Sequence, residues 1–349
     1  MNELKRTMEH RPFVSIIIPA YNEAGHIERA LEDILDQDYG PENYEVLVAD
    51  GRSSDRTREI IREFPAGKTL IQVIDNPGRY VPSGLNLAIG QAKGRVIVRM
   101  DAHSRYPKDY LTSLVHWLER LKADNVGGVW ITRPANDSAK AKAIALALAH
   151  PLGVGNALYR LGSDKVREVD TVPYGCYPKR VFERIGLFDE QLLRNQDDEF
   201  NARLKRSGGR IFIIPGIKIE YFARENFSKL GKMYYQYGYF KPLVNKKIKI
   251  PANVRQLAPA ALILVPVVLA LLGWWNTWLV WAAAGLLSLY LLAVTGVSLA
   301  LCSGKGPGLF ANLMGSFFTI HFSYGWGYLR GIWDFTVLNQ RPRSLTANR

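Results

Sequence analysis

Four short stretches carry side chains whose types and spacing suit a nucleotide, a divalent ion and a proton acceptor. In Pro19-Ala20-Tyr21-Asn22-Glu23 an aromatic ring can stack on a base while Glu23 accepts from ring or ribose donors; an ordinary Asx-capped turn uses the same residues. In Asp50-Gly51-Arg52-Ser53-Ser54-Asp55 the first aspartate can take a ribose hydroxyl or a base N–H, or simply close a turn. In Asp101-Ala102-His103 two donors spaced two apart share one side of an extended chain and can converge on one ion. Carboxylate oxygen with imidazole nitrogen suits Mn²⁺ or a similar divalent ion bridging a diphosphate. The bland alternative is a helix-capping aspartate beside a solvated histidine. The fourth stretch, Asn195-Gln196-Asp197-Asp198-Glu199-Phe200, sets three carboxylates at a helix start, where the dipole favours them. In a cleft one of them serves as a general base.

The elements that must position these residues alternate. Val14 to Ile18 is a β-branched run without a charge, suited to a strand buried on both faces. Ile27, Ala30, Leu31, Ile34 and Leu35 recur at helical spacing. Strands are expected at Glu45–Ala49, Leu70–Ile74 and Arg95–Met100. Helices are expected around Ile60, Ile61 and Phe64, capped by Ser54 or Asp55, and over Ser83–Ala92 and Lys108–Leu121. Strict β-α-β alternation predicts an α/β fold with a doubly wound, mostly parallel sheet, whose ligands bind at the carboxyl ends of strands near the switch in strand order. The first, second and fourth strands end in the first three stretches.

Charge is distributed very unevenly. The 349 residues have formal net charge +13 and are 48% hydrophobic, yet only Lys305, Arg330, Asp334, Arg341, Arg343 and Arg349 are charged from Gln256 onward. That excludes a disordered, fibrous or disulfide-framework chain and disfavours a purely soluble one. Leu257–Gly273 and Trp278–Leu301 are charge-free and approach or exceed the roughly 20 residues that cross a bilayer. Trp274, Trp275, Trp278 and Trp281 cluster between them, where an interface is expected. Lys241, Lys246, Lys247, Lys249 and Arg255 form a basic flank that marks the cytoplasmic side. The third apolar segment, Gly308–Ile332, holds His321 and Arg330 and is read as re-entrant or interfacial in preference to spanning. Residues 1–222 are thus expected to be a cytosolic catalytic domain, 223–256 a basic aromatic interfacial segment, 257–332 the membrane helices and 333–349 a tail. The polar N-terminus lacks a signal-peptide core, and Cys176 and Cys302 are read as unpaired, both in keeping with a reducing cytosol. No basic-aromatic nucleic-acid module is present.

Taken as an ordered set, these stretches resemble the inverting nucleotide-sugar glycosyltransferases of family 2, which have the GT-A fold. The family pattern runs from a strand into Pro-x-Tyr-Asn-Glu, then Asp-(Asp/Gly)-x-Ser-x-Asp, then Asp-x-Asp, then Glu-Asp-x-Asp-Leu-x-x-Arg. Here these are Pro19–Glu23, Asp50–Asp55, Asp101–His103 and Gln196–Arg203, with Gly186-Leu187-Phe188-Asp189-Glu190 preceding the last. Asp-Ala-His, the His150–Asn156 stretch, Val169–Val172 and Gln236-Tyr237-Gly238 resemble the membrane-attached branch of succinoglycan-type glucosyltransferases.

That resemblance implies roles position by position. Ala20, Tyr21, Glu23 and Asp50 would hold uridine; Asp101 and His103 would hold Mn²⁺ or Mg²⁺ on the diphosphate; Asp197 would be the base. The implied reaction moves a sugar from a UDP-sugar to a polyprenyl-diphosphate-linked saccharide in exopolysaccharide or cell-surface glycan assembly, with the enzyme in the inner membrane among lipids. Two departures stand out. His103 replaces a carboxylate, leaving the ion one negative charge fewer, and Gln196 replaces the acidic neighbour of Asp197, removing a like charge. The Gln-x-x-Arg-Trp motif of processive synthases is absent, since Tyr237-Gly238-Tyr239-Phe240 follows Gln236. The rival readings are a polyprenyl-phosphate sugar synthase and a non-catalytic membrane scaffold.

Overall fold

The computed structural model describes residues 11–250, 254–303, 307–340 and 342. The N-terminal leader, Lys305 and the tail cations Arg341, Arg343 and Arg349 lie outside them. The chain divides into two compact units: one comprises the chain up to Ile131 with Gly162–Tyr221, the other Thr132–Leu161 with everything from Phe222.

The first unit is built on a mixed sheet. Its elements are β1 (Val14–Ala20), α1 (Ile27–Leu35), β2 (Tyr44–Asp50), α2 (Thr57–Glu63), β3 (Leu70–Asp75), α3 (Val81–Gln91), β4 (Val96–Arg99), β5 (Ser104–Arg105), α4 (Tyr110–Arg120) and β6 (Asn125–Arg133). The spatial order is β3-β2-β1-β4-β8-β6-β9-β5, with β7 (Arg167–Glu168), β8 (Cys176–Pro178) and β9 (Ile211–Phe222) coming later in the chain and β7 pairing with β9. The pairs β1–β2, β2–β3 and β1–β4 are parallel, as the alternation predicts. Beyond β4 the pairs β4–β8, β6–β8, β5–β9 and β7–β9 are antiparallel, so the sheet is less parallel than expected.

Every residue of β1 and β2 is buried, which is why neither shows polar alternation. Ile27, Ala30, Leu31 and Ile34 form the buried face of α1. β3, the edge strand, leaves Leu70 half exposed. The chain winds from β1 to β2 to β3, then returns to place β4 on the other side of β1. This switch in strand order sets the carboxyl ends of β1 and β4 side by side, next to that of β2, the place where such sheets bind ligands.

The second unit contains α5 (Ala139–Leu148), which packs on a much later helix; this explains why 132–161 groups with the C-terminal part rather than within a contiguous 1–222 domain. The first unit is completed by α6 (Arg180–Ile185) and α7 (Gln196–Arg206). The second continues with α8 (Phe227–Ile248), α9 (Val254–Leu272), α10 (Trp278–Cys302) and α11 (Pro307–Ile332), then a π-helical turn over Trp333–Val337. Among the described residues, α9 and α10 are long and apolar enough to cross a membrane, each with mean hydropathy 2.0, and most of their side chains face outward. Trp274 and Leu271 are 91% and 69% exposed, a surface that water would penalise heavily.

The segment Pro307–Ile332 forms one unbroken helix. Its partner is α8, whose aromatic residues Tyr239 and Phe240 are buried within this unit. The two helices meet through glycines. A Cβ at Gly238 would lie 2.1 Å from the Tyr324 carbonyl oxygen, and one at Gly327 would lie 2.2 Å from that of Tyr235. The buried Asp334 carboxylate accepts from Tyr239 Oη at 2.9 Å and Arg330 Nε at 3.1 Å, tying the end of α11 back to α8. Gly327→Ala must push backbone from backbone, and we expect it to destabilise this unit by about 1–3 kcal/mol. Thermal unfolding in detergent measures this; an unchanged midpoint would contradict so close an approach.

Candidate active site

The loops leaving β1 and β2 are stitched together. Asn22, with φ of 54°, donates its N–H to Ser53 Oγ and accepts the Ser54 N–H on Oδ1, both at 2.8 Å. Glu23 donates its N–H to Thr57 Oγ1 at 2.8 Å, and Ala24 donates to Asp55 Oδ2 at 3.1 Å. Asp55 also accepts the Thr57 N–H at 3.0 Å. It supports the start of α2, although Arg56, and not Ser54 or Asp55, occupies the N-cap; burial, which would raise its carboxyl, is outweighed by these donors from Thr57 and Ala24, so its pKa is lowered.

Ala20 and Asp50 are register partners at the last rung of β1 and β2, and Gly51 N–H donates to the Ala20 carbonyl at 2.8 Å. The Asp50 side chain is wholly covered: it accepts from Ser53 N–H at 3.1 Å and pairs with Arg58, which also reaches Asp75. Tyr21 is half-buried, its ring against Gly51, where a Cβ would lie 3.3 Å from it. So Ala20, Tyr21 and Asp50 share one corner, with Asp50 organising the turn and Tyr21 offering the surface.

The exit of β4 carries the next group. Asp101 is clasped by Arg99 from the same strand end, Nε to Oδ1 at 3.1 Å and Nη2 to Oδ2 at 3.2 Å, with side-chain exposures of only 12% and 14%. Burial by itself would lower the Arg99 guanidinium; the Asp101 carboxylate, and the charge of Asp197, raise it well above its ordinary value instead. The backbone N–H of Asp101 donates to Tyr106 Oη at 2.6 Å. Burial pushes the Tyr106 and Tyr174 hydroxyls up, so both stay protonated. Tyr174 lies under the Arg99 guanidinium at 5.7 Å and bonds Ser104 Oγ at 2.6 Å. His103 does not stand alone: its Nδ1 lies 3.2 Å from Glu23 Oε2, joining the ends of β4 and β1.

Asp197 enters from α7. Asn195 turns the chain with φ of 59°, and the Asp197 carboxylate accepts the Asp198 N–H at 3.0 Å at the start of the helix. Arg203, one face along the same helix, binds Glu199 at 2.6 Å and reaches the carbonyls of Ile185 and Leu187. Asn86 holds Phe188 from the other side, donating to its carbonyl at 2.9 Å and accepting its N–H at 3.0 Å. Phe182, Phe188 and Phe200 pack between them, so the start of α7 rests on a rigid base. Asp197 also raises the Tyr177 hydroxyl, after burial, the larger cause.

Asp101 and Asp197, nearly a hundred residues apart, thus act on one guanidinium that sequence reasoning passed over as a strand residue. Its signal was present: a cation ending an otherwise apolar strand two residues before an acid. Among the described residues no three His, Cys, Asp or Glu side chains form a closed metal cage. Asp101 and His103 give two donors of the kinds a divalent ion accepts, so such an ion would need its remaining oxygens from ligand and water. Arg99→Met leaves a buried carboxylate without its partner, and we expect it to cost about 3 kcal/mol of stability. Denaturant unfolding should also show that Arg99→Met with Asp101→Asn costs less than the two changes added together. Additive losses would mean the pair is not coupled.

Residues 15–184 match the family Glycosyl transferase family 2. The chain is 30% identical to the succinoglycan biosynthesis protein ExoA of Rhizobium meliloti (strain 1021) over 326 residues, 92% of this chain and 95% of that one. It is 31% identical over 243 residues to a dolichyl N-acetyl-α-D-glucosaminyl phosphate 3-β-D-2,3-diacetamido-2,3-dideoxy-β-D-glucuronosyltransferase of Methanococcus voltae, covering 67% of this chain and 74% of that one. Among solved structures, the mannosyltransferase PcManGT of Pyrobaculum calidifontis, in complex with GDP-Man and Mn²⁺, superposes with a TM-score of 0.60 at 20% identity, covering 95% of this chain and 93% of that one. With its mixed GT-A sheet and relatives in polysaccharide and glycan biosynthesis, the chain belongs to glycosyltransferase family 2 and is a glycosyltransferase.

Proposed function

We propose that this enzyme transfers a sugar with inversion from a UDP-sugar to a polyprenyl-linked saccharide at the inner face of the cell membrane, in exopolysaccharide or cell-surface glycan assembly. The observation that carries the reading is the placement of Asp197, on a rigidly held helix start, within the electrostatic reach of the same Arg99 that clasps Asp101. Two carboxylates around one cation at the strand-order switch divide the work: one side holds the diphosphate end of the donor, the other receives a proton.

Tyr21 offers its ring to the base, and the Ala20–Asp50 corner closes around the ribose. Asp101 and His103 are the residues that would hold a divalent cation, which, when bound, neutralises charge on the departing diphosphate. Asp197 accepts the proton of the acceptor hydroxyl as that oxygen attacks the anomeric carbon from the face opposite the diphosphate, so one displacement inverts the centre. No covalent intermediate is required. Arg99, clasping Asp101, compensates its charge.

For the membrane, support comes from the outward-facing apolar helices α9 and α10 and from the basic residues Lys246, Lys247 and Lys249 just before them. For the acceptor, support comes from the Methanococcus voltae relative, whose name specifies a dolichyl-phosphate-linked sugar rather than bare polyprenyl phosphate. For the donor, S. aureus TarS in complex with UDP-GlcNAc shares the fold, at a TM-score of 0.50 and 16% identity. The enzyme in detergent should release UDP from one member of a UDP-sugar panel when given a polyprenyl-diphosphate sugar. Asp197→Asn should bind the donor normally and transfer about 10² or more times slower. Retained turnover in that variant removes Asp197 from the role, and turnover with bare polyprenyl phosphate alone favours a polyprenyl-phosphate sugar synthase.

A further inference from the structure

The contact between His103 and Glu23 assigns Glu23 a task other than holding uridine. An ionised carboxylate only accepts hydrogen bonds, so in the 3.2 Å contact with Glu23 Oε2 a neutral His103 must carry its proton on Nδ1. Nε2 then keeps its lone pair. The two side chains are 18% and 5% exposed, so water competes weakly for the contact.

The backbone of Glu23 is also held in place. Its N–H is fixed to Thr57 Oγ1 at 2.8 Å, and its carbonyl accepts from the His26 and Ile27 N–H groups at 2.8 and 2.9 Å, beginning α1. The His26 ring stands 6.0 Å from the His103 ring on the same side. The loop stitching that joins β1 to β2 therefore fixes the Glu23 backbone, and from there its carboxylate meets the imidazole.

We propose that Glu23 is a positioning residue for the cation: it sets the His103 tautomer and so leaves Nε2 as the nitrogen that would bind a divalent ion together with Asp101. Metal-bound histidines commonly donate their other nitrogen to a carboxylate, which orients the ring and raises its basicity. The arrangement also explains how Asp-Ala-His can serve where related chains have two carboxylates. The negative charge missing at His103 is supplied from behind it by Glu23. This inference rests on the reading of Asp101 and His103 as the cation's donors.

The test uses the full chain in detergent with three readouts: Mn²⁺ affinity with saturating UDP, by the electron paramagnetic resonance of free Mn²⁺; uridine binding in EDTA, by ligand-observed NMR; and the unfolding midpoint. Glu23→Gln admits either tautomer and removes the charge, and it should weaken Mn²⁺ about 10- to 100-fold while leaving uridine binding unchanged. His103→Ala should weaken Mn²⁺ similarly, and adding Glu23→Gln to it should cost little more. Loss of uridine binding with Mn²⁺ affinity intact would return Glu23 to the nucleoside and overturn the proposal, as would additive losses in the double variant. If Asp101→Asn and His103→Ala both leave Mn²⁺ affinity unchanged, the assignment of the cation donors fails instead. A fall in unfolding midpoint with Mn²⁺ affinity unchanged would make the Glu23–His103 contact merely structural and refute the positioning role.

Discussion

Arg99 sits where the sheet changes character, at the end of the last parallel strand and beside the first antiparallel one, and its charge has to be answered inside the protein. A buried guanidinium without a carboxylate would cost several kcal/mol, so Asp101 must turn toward it and the start of α7 must bring Asp197 near. The rest of the first unit follows from that requirement. The strand order β3-β2-β1-β4 sets the loops after β1 and β2 beside Asp101, and the antiparallel half of the sheet leads the chain to α7. Arg203, Asn86 and the Phe182–Phe188–Phe200 cluster then hold the helix start that carries the second carboxylate.

Much of this was legible in the amino-acid order. Val14–Ala20 and Tyr44–Asp50 are mostly apolar because both faces are covered, and the buried Ser15 within the first donates a hydrogen bond to the buried Glu45 within the second. The amphipathic spacing of Ile27, Ala30, Leu31, Ile34 and Leu35 falls on the helix that forms there. What was not legible are the contacts made across the sheet. Glu23 meets His103 eighty residues away, a fact of strand order and not of spacing. The two-residue and three-residue strands β5, β7 and β8 are too short to show a period. That the helix over Ala139–Leu148 joins the C-terminal unit is likewise a matter of tertiary packing.

The second unit obeys different physics. Its helices α8 and α11 hold together through close backbone approach and a few polar ties. Gly238 and Gly327 let α8 and α11 meet main chain to main chain, and Asp334, Tyr239 and Arg330 close the end of the contact. The aromatic residues of α8 that stand out in the sequence beside its lysines are largely consumed by this packing. The basic residues remain at the boundary that leads into α9.

The central claim is that the ends of β1, β2 and β4 form the donor site, with Asp101 and His103 holding the cation. The anomalous signal of Mn²⁺ in crystals of the enzyme grown with UDP tests it most directly. A single strong peak against the Asp101 carboxylate and His103 Nε2, with the diphosphate beside it, is the predicted result. A peak elsewhere, or a diphosphate bound away from the β4 exit, would contradict it.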